Sequence, residues 1–216
     1  MRPLRIALTK GRLERITVDL LERMGCDCSQ IRDKGRRLIL PIPGENLEVV
    51  LAKSADVITY VERGVCDMGV VGKDTILEMG SSFYEVLDLG FGACRFMVAA
   101  PRGADLYEGY RTKVIATKYP GVARRFFEKK GMDVDVVKIE GSVELAPLLG
   151  LADAIVDIVE TGATLRENGL EMLEEVARVS ARLIVNVASQ KLRKEEIGAF
   201  LARVERELQK EEGKPC

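Results

Sequence analysis

Histidine is absent from all 216 residues, and so is tryptophan. Without an imidazole the usual general base near neutral pH is missing, so catalysis has to run through carboxylates, lysine, arginine, backbone amides or a bound metal. That excludes Ser-His-Asp hydrolysis and every mechanism built on a histidine base. Aromatic residues make up only 5%, which leaves little material for the stacking platforms of single-strand nucleic-acid binders. Charge of one sign is lacking too, because 33 basic residues stand against 34 acidic ones. No broad field steers this chain to nucleic acid, and any anion site has to be local.

The five cysteines, Cys26, Cys28, Cys66, Cys94 and Cys216, form an odd set without a C-x-x-C pair. With no histidine, a zinc site would need these scattered thiols and carboxylates, and the expectation is reduced thiols in a cytoplasmic protein. Long apolar runs are also missing. The first, residues 4–8, is broken at once by Thr9, Lys10, Gly11 and Arg12, far too short for a signal peptide. No stretch approaches the roughly 18–20 apolar residues of a membrane helix. The expected partners therefore include neither nucleic acid nor membrane.

What is present is a chain 47% hydrophobic and 31% charged, enough for a sizeable core under a well-solvated surface. Short runs rich in Val, Ile and Leu alternate with stretches of helical period, the pattern of βα units around a largely parallel sheet. The runs at 4–8, 37–41, 47–51, 68–71 and 85–89 read as strands of a first lobe, with helices at 12–24 and 54–64. Those at 95–100, 114–117, 134–139 and 154–159 read as strands of a second, with helices at 121–130 and 143–149. A strand at 181–188 and a charged amphipathic helix at 194–210 return to the first lobe. Gly90-Phe91-Gly92 is a natural hinge, and a second crossing is expected at 175–180. The fold class is thus α/β, two-lobed, with lobe I at 1–90 plus 178–216, lobe II at 91–177, and a ligand cleft expected between them.

The chemistry concentrates in residues 151–165. An apolar strand carries Asp153 and Asp157 four residues apart, which puts both carboxylates on one strand face. It opens into Thr161-Gly162-Ala163-Thr164 at the start of a helix. A glycine, two hydroxyls and free helical amides suit a phosphate, since they offer donors and a favourable dipole without a cation. Taken alone, Thr161 reads equally well as a helix cap and Gly162 as a turn residue. The two carboxylates upstream tip the balance, being placed for ribose hydroxyls or a magnesium-bound diphosphate. A second cluster, Leu8-Thr9-Lys10-Gly11-Arg12, lies where the first strand gives way to its helix, beyond the carboxyl end where open α/β sheets bind ligands. A third, Gly69-Val70-Val71-Gly72-Lys73-Asp74, also ends a strand, although Asp74 alone reads as a cap and Lys73 as a surface residue.

These blocks resemble the ATP phosphoribosyltransferases of histidine biosynthesis. The likeness rests on Leu8 to Arg12, on Leu51-Ala52-Lys53-Ser54-Ala55-Asp56 with Tyr60-Val61, and on Asp67 to Asp74. It continues through Gly90-Phe91-Gly92-Ala93-Cys94, Ile115-Ala116-Thr117-Lys118-Tyr119-Pro120 and Glu140-Gly141-Ser142-Val143-Glu144, and ends in residues 150–165. The resemblance implies a fold like the type II periplasmic binding proteins. It implies a reaction in which adenine N1 of ATP displaces diphosphate from ribose C1 of phosphoribosyl diphosphate, with Mg2+ present. Thr161, Gly162, Ala163 and Thr164 would then hold the 5-phosphate, with Asp153, Asp157, Glu144 and Glu160 nearby and magnesium met by Asp153 and Asp157. Lys10, Gly11, Arg12, Lys53, Gly72 and Asp74 would line the nucleotide side, and Lys10, Arg12 and Arg36, or its neighbour Arg37, would supply charge stabilisation. No residue is assigned as acid or base.

The chain ends soon after the last predicted helix, which resembles the short form of the family. That form works with a separate regulatory subunit resembling a histidyl-tRNA synthetase, and a hetero-octamer is expected. Two other readings remain at this point: a solute-binding or sensor module on the same architecture, and a phosphoribosyltransferase acting on a different acceptor.

Overall fold

The computed structural model describes residues 2–80 and 82–212, the side chains of 211 and 212 excepted. It resolves into two compact units, one formed by residues up to Gly92 with those from Ser180 on, the other by Ala93–Val179. The first unit runs β1 (Leu4–Thr9), α1 (Arg12–Arg23), α2 (Ser29–Arg32), β2 (Ile39–Pro41), β3 (Leu47–Ala52), α3 (Ser54–Glu62), β4 (Met68–Gly72), α4 (Lys73–Met79) and β5 (Phe83–Asp88). The second follows with β6 (Cys94–Pro101), β7 (Lys113–Thr117), α5 (Pro120–Lys129), β8 (Val134–Lys138), α6 (Leu145–Leu148), β9 (Ala154–Val159), α7 (Ala163–Glu167) and β10 (Leu170–Val179). The chain then returns to the first unit with β11 (Ala181–Asn186), α8 (Val187–Leu192) and α9 (Lys194–Glu212).

The first sheet has the order β2-β3-β1-β4-β11-β5, with β3, β1 and β4 mutually parallel. Strict alternation splits these strands between two cores. Ile6, Leu8, Val49, Leu51 and Val70 face Val18 and Leu21 of α1 and Phe200 and Val204 of α9. Ala7, Val71 and Ile184 face Val57, Ile58 and Val61 of α3. Gly69 is what lets α3 lie so close, since a Cβ there would stand 2.8 Å from Val57 Cγ1 and 2.9 Å from Val61 Cγ2.

The returning segment is locked by charge. Asp67, 1% exposed, accepts hydrogen bonds from Arg2 Nη1 (2.6 Å), the Arg5 N–H (2.9 Å), Ser189 Oγ (2.8 Å) and Arg193 Nη1 (3.2 Å). Asn186 caps α8 through the Ser189 N–H (2.8 Å) and donates to the Val61 carbonyl at 2.7 Å. Strand β1, the loop before β4 and the C-terminal helices are thereby one body.

The second sheet runs β10-β6-β9-β7-β8; β9, β7 and β8 are parallel, while β6 is antiparallel to β9 and β10 to β6. Its longest strand is one that periodicity does not show. Residues 175–180, expected as a crossing, belong for the most part to the ten-residue β10, whose pairing with β6 slips at Met172/Glu174 and again at Glu175/Ala177. Each bulge shifts which face the next residue takes, so the apolar and charged residues lose their period of two. Helix α6 is also shorter than the expected 143–149, and the strand expected at 181–188 yields to α8 after Asn186.

Candidate functional site

Strand β9 sits between β6 and β7, and Ile155 and Val159 point into a core with Ala116, Val143, Ala146 and Leu165. Alternation puts Asp157, between them, on that same face. Beyond Val159 the chain turns through Glu160, Thr161 and Gly162 into the short helix α7. Gly162 has φ 75° and ψ 11°, a left-handed conformation that costs other residues roughly 1–2 kcal/mol. The Thr161 hydroxyl accepts the Ala163 N–H at 3.3 Å, and Arg166 Nη1 donates to the Thr161 carbonyl at 3.2 Å. The remaining first-turn amides of α7 have no carbonyl one turn behind them, as at every helix start. A cavity of about 310 Å³ opens here, lined by Glu144, Asp157, Glu160, Thr161, Gly162, Ala163 and Thr164 among others.

The electrostatics of this cavity are uneven. Burial pushes the Asp157 carboxyl above the ordinary carboxylate range, the nearby charge of Glu144 adds to the shift, and the Ile158 N–H and Lys118 oppose it. The Ile158 N–H donates to Asp157 Oδ1 at 2.8 Å. The turn from Thr161 to Thr164 and an incompletely compensated carboxylate thus line one cavity.

Asp153 does not join them. It lies one residue before β9, four residues or about 13 Å of extended strand from Asp157. Arg111 grips its carboxylate with both ends of the guanidinium, Nη1 to Oδ2 at 2.9 Å, and the Val114 N–H donates to Oδ2 at 2.8 Å. The hydrogen bond from Arg111 leads the causes that hold its pKa down. The two aspartates share a face as the spacing required, but at opposite ends of the strand; Asp153 ties β9 to β7.

In the first unit the sequence-predicted residues gather at the carboxyl ends of the three parallel strands. Lys10 follows β1, Lys53 follows β3, and Gly72 closes β4 with Asp74 in the first turn of α4. Gly72 has an ordinary φ of −69°; a Cβ there would meet the Asp74 carboxylate, which would have to turn aside. A cavity of about 530 Å³ is lined by Lys10, Gly11, Glu14, Arg15, Lys34, Gly35, Arg36, Arg37, Leu38 and Leu51. Arg12, Lys53, Gly72 and Asp74 are not on its lining. Buried Glu14 pairs with Lys34 and accepts the Gly11 N–H at 3.3 Å. Arg37 is spent on its own loop, donating to the carbonyls of Asp33 (3.0 Å) and Lys34 (3.3 Å). The side chains of Lys10, Arg15 and Arg36 make no hydrogen bond or ion pair among the described residues. Sequence reasoning missed Arg15 and Lys34. Arg15, three residues after Arg12 on α1, was within reach of a helical-spacing argument; Lys34 was not, because its place depends on how the 33–38 loop folds.

Among the described residues no three Cys, Asp or Glu side chains converge on a metal. The donors present, Glu144, Asp157 and Glu160, fit an Mg2+ that keeps one or two carboxylates and takes its other ligands from a bound phosphate. Burial pushes the Cys28 thiol up to about 12 and the Cys66 thiol to about 11, away from the thiolate form that a nucleophilic cysteine needs. Cys216 lies outside the described residues. No helix among them is long and apolar enough to cross a membrane.

Comparison with known proteins bears on the same residues. The model of the family HisG, ATP phosphoribosyltransferase, matches residues 53–206. An ATP phosphoribosyltransferase of Clostridium kluyveri is 57% identical over 204 residues, covering 94% of this chain and 93% of the relative. Among solved structures, the ATP phosphoribosyl transferase (HisG:HisZ) complex from Thermotoga maritima superposes with a TM-score of 0.81 at 35% identity, covering 95% of this chain and 98% of that one. The periplasmic aliphatic sulphonate binding protein SsuA from Escherichia coli follows at a TM-score of 0.59 and 13% identity, covering 95% of this chain and 72% of that one. That last likeness shows the two-lobed, type II binding-protein fold alone. With a family model over most of its length and a relative matched nearly end to end, the chain belongs to the ATP phosphoribosyltransferase family.

Proposed function

We propose that Thr161, Gly162, Ala163 and Thr164 hold the 5-phosphate of phosphoribosyl diphosphate, with Asp157, Glu144 and Glu160 beside its ribose and diphosphate. The activity served is that of the family. The chain is an ATP phosphoribosyltransferase, which joins ATP to 5-phosphoribosyl 1-diphosphate and releases diphosphate, the first step of histidine biosynthesis. Adenine N1 supplies the electron pair of the new bond to ribose C1, the bond from C1 to the diphosphate oxygen breaks with its pair on the departing group, and the alkylated ring sheds a proton to solvent.

The observation that carries the site reading is the meeting, at the end of β9, of a left-handed Gly162, the free amides of α7 and the half-buried Asp157 in one cavity. Positive charge develops at C1 as the diphosphate departs, so the step asks for positioning and charge stabilisation more than for a base. Asp157 answers that need, since a carboxylate shielded from water acts more strongly on a nearby cation than an exposed one. This is how a chain without histidine runs the reaction. Magnesium, the proposed cofactor, would neutralise the diphosphate, carried chiefly by the substrate with Asp157 as its protein oxygen.

On the nucleotide side, Lys10 and Arg36, with Arg15 beside them, offer positive charge to the triphosphate, and Gly11 gives it room beside the backbone. Arg12, Lys53, Gly72 and Asp74 belong to the same side by resemblance. The Thermotoga structure is of a HisG:HisZ complex; by likeness this chain works with a separate regulatory subunit akin to a histidyl-tRNA synthetase, four copies of each, in the cytoplasm. The test is direct. The chain, its partner subunit, Mg2+, ATP and phosphoribosyl diphosphate are mixed and the absorbance of the phosphoribosyl-ATP adduct is followed; no adduct with every component present refutes the reading.

A further inference from the structure

One motif singled out in the sequence, residues 115–120, is left without a role by the site described so far. Strands β7 and β9 are parallel and registered Ile115 to Ala154, Ala116 to Ile155 and Thr117 to Val156. Lys118 is the next residue, in the bend that ends β7, and its charge acts on the Asp157 carboxyl. Neighbours in register on parallel strands project to the same side, and Ala116, two residues before Lys118, shares its buried face with Ile155, two residues before Asp157.

The turn that presents Lys118 is pinned. Thr117 Oγ1 donates to the Val156 carbonyl at 2.5 Å and accepts the Tyr119 N–H at 2.9 Å. Lys118 itself is exposed and makes no hydrogen bond or ion pair among the described residues. The other cations nearby are committed: Lys138 pairs with Glu140 at 2.6 Å, and Arg166 donates to the Thr161 carbonyl. Glu144 and Asp157 leave the cavity wall acidic. A polyanionic sugar diphosphate entering there meets like charge on that wall, and Lys118, whose charge reaches Asp157 and Glu140 without a hydrogen bond to either, is a cation at its edge.

We propose that Lys118 is a further substrate-binding residue, its ammonium contacting the diphosphate of the sugar donor. This rests on the assignment of the β9 cavity to that donor. Lys118→Met and Lys118→Arg are compared with the unaltered chain for binding of inorganic pyrophosphate with Mg2+ by calorimetry, and for KM of both substrates in the complete enzyme. Loss of one charge-assisted contact weakens a ligand by about tenfold. Lys118→Met is expected to weaken pyrophosphate and raise the phosphoribosyl diphosphate KM by about that factor. The ATP KM and the melting temperature should stay unchanged, and Lys118→Arg should recover most of the loss. Unchanged pyrophosphate affinity in Lys118→Met overturns the inference, including the case in which only the pH profile of kcat moves. Thr164→Ala, run in parallel, decides the cavity itself. If it raises the sugar-donor KM while Lys118→Met does not, the inference fails and the site stands; if it leaves that KM unchanged, the site assignment fails whatever Lys118 does.

Discussion

Replacing Gly162 by alanine separates what a left-handed glycine contributes to folding from what it contributes to the loop. Holding alanine at φ 75° costs about 1–2 kcal/mol in torsional strain alone. The added Cβ stands 3.2 Å from Met172 Cε and 3.4 Å from Arg166 Nη1, both far ends of flexible side chains that can shift, so sterics add little. Gly169, beyond the other end of α7, has nearly the same φ, 70°, and nothing within 4 Å of an added Cβ. Gly169→Ala therefore carries the same torsional penalty without touching the loop. Both variants should lose about 1–2 kcal/mol in urea unfolding. Only Gly162→Ala moves the amides of Ala163 and Thr164; the loss of one hydrogen bond to an anion, about 1.5–3 kcal/mol, raises the KM for phosphoribosyl diphosphate roughly ten- to hundredfold. Initial rates at saturating ATP read the difference. A KM raised no more in Gly162→Ala than in Gly169→Ala would show that the loop does not hold the phosphate.

Asp157 and the buried Asp67 give the other predictions. Asp157→Asn should raise the melting temperature at neutral pH, by about 2–4 °C for each kcal/mol relieved, and lower kcat by roughly two orders of magnitude. Its folded pKa lies above the unfolded one, so the thermal gain is present above the folded value and vanishes as pH falls to the unfolded value; a lower melting temperature at neutral pH would contradict this. Asp67→Ala removes the acceptor shared by Arg2, the Arg5 N–H, Ser189 and Arg193, leaving Arg193 to the carboxylate of Glu196, and should destabilise the chain by about 1.5–3 kcal/mol. Burial alone would raise the Asp67 pKa, but Arg2, the Arg5 N–H and Ser189 outweigh it and the net shift is downward. Its contribution is therefore present above the unfolded carboxylate value of about 4 and lost as pH drops through the folded one; acid unfolding curves of the parent and Asp67→Ala should converge there.

How far the sequence could be read depends on whether a feature is local. Strand β9 is found at residues 154–159 as expected, because a short apolar run interrupted only by Asp157 and flanked by turns has few alternatives. Helices α1 and α3 start where expected and end within two residues, for the same reason. Strand β10 was invisible because two bulges erase its alternation. Helix α4 was missed because seven residues between Gly72 and Gly80 carry too little period to register. The site shows the same division. Spacing alone puts Asp153 and Asp157 on one face, but Arg111, which occupies Asp153, is 42 positions away in the chain, and no local pattern announces such a partner. The choice between Arg36 and Arg37 turned likewise on a loop conformation that gives Arg37 the carbonyls of Asp33 and Lys34.

Burial by itself does not mark a functional carboxylate, as Asp67 and Asp157 demonstrate together. Asp67 is the more deeply buried, at 1% exposure, yet four donors surround it and its pKa falls. Its charge is used up in holding β1 to the C-terminal helices. Asp157 is only half-buried, yet its pKa rises, because one backbone N–H and the charge of Lys118 do not offset lost hydration and the like charge of Glu144. A protein selected for stability alone would have compensated it or replaced it. An incompletely compensated carboxylate beside the proposed phosphate loop is costly to the fold and effective against positive charge that appears only during reaction. The direction of the shift, more than the depth of burial, is what sets Asp157 apart from the structural Asp67 and makes it the candidate for the reaction.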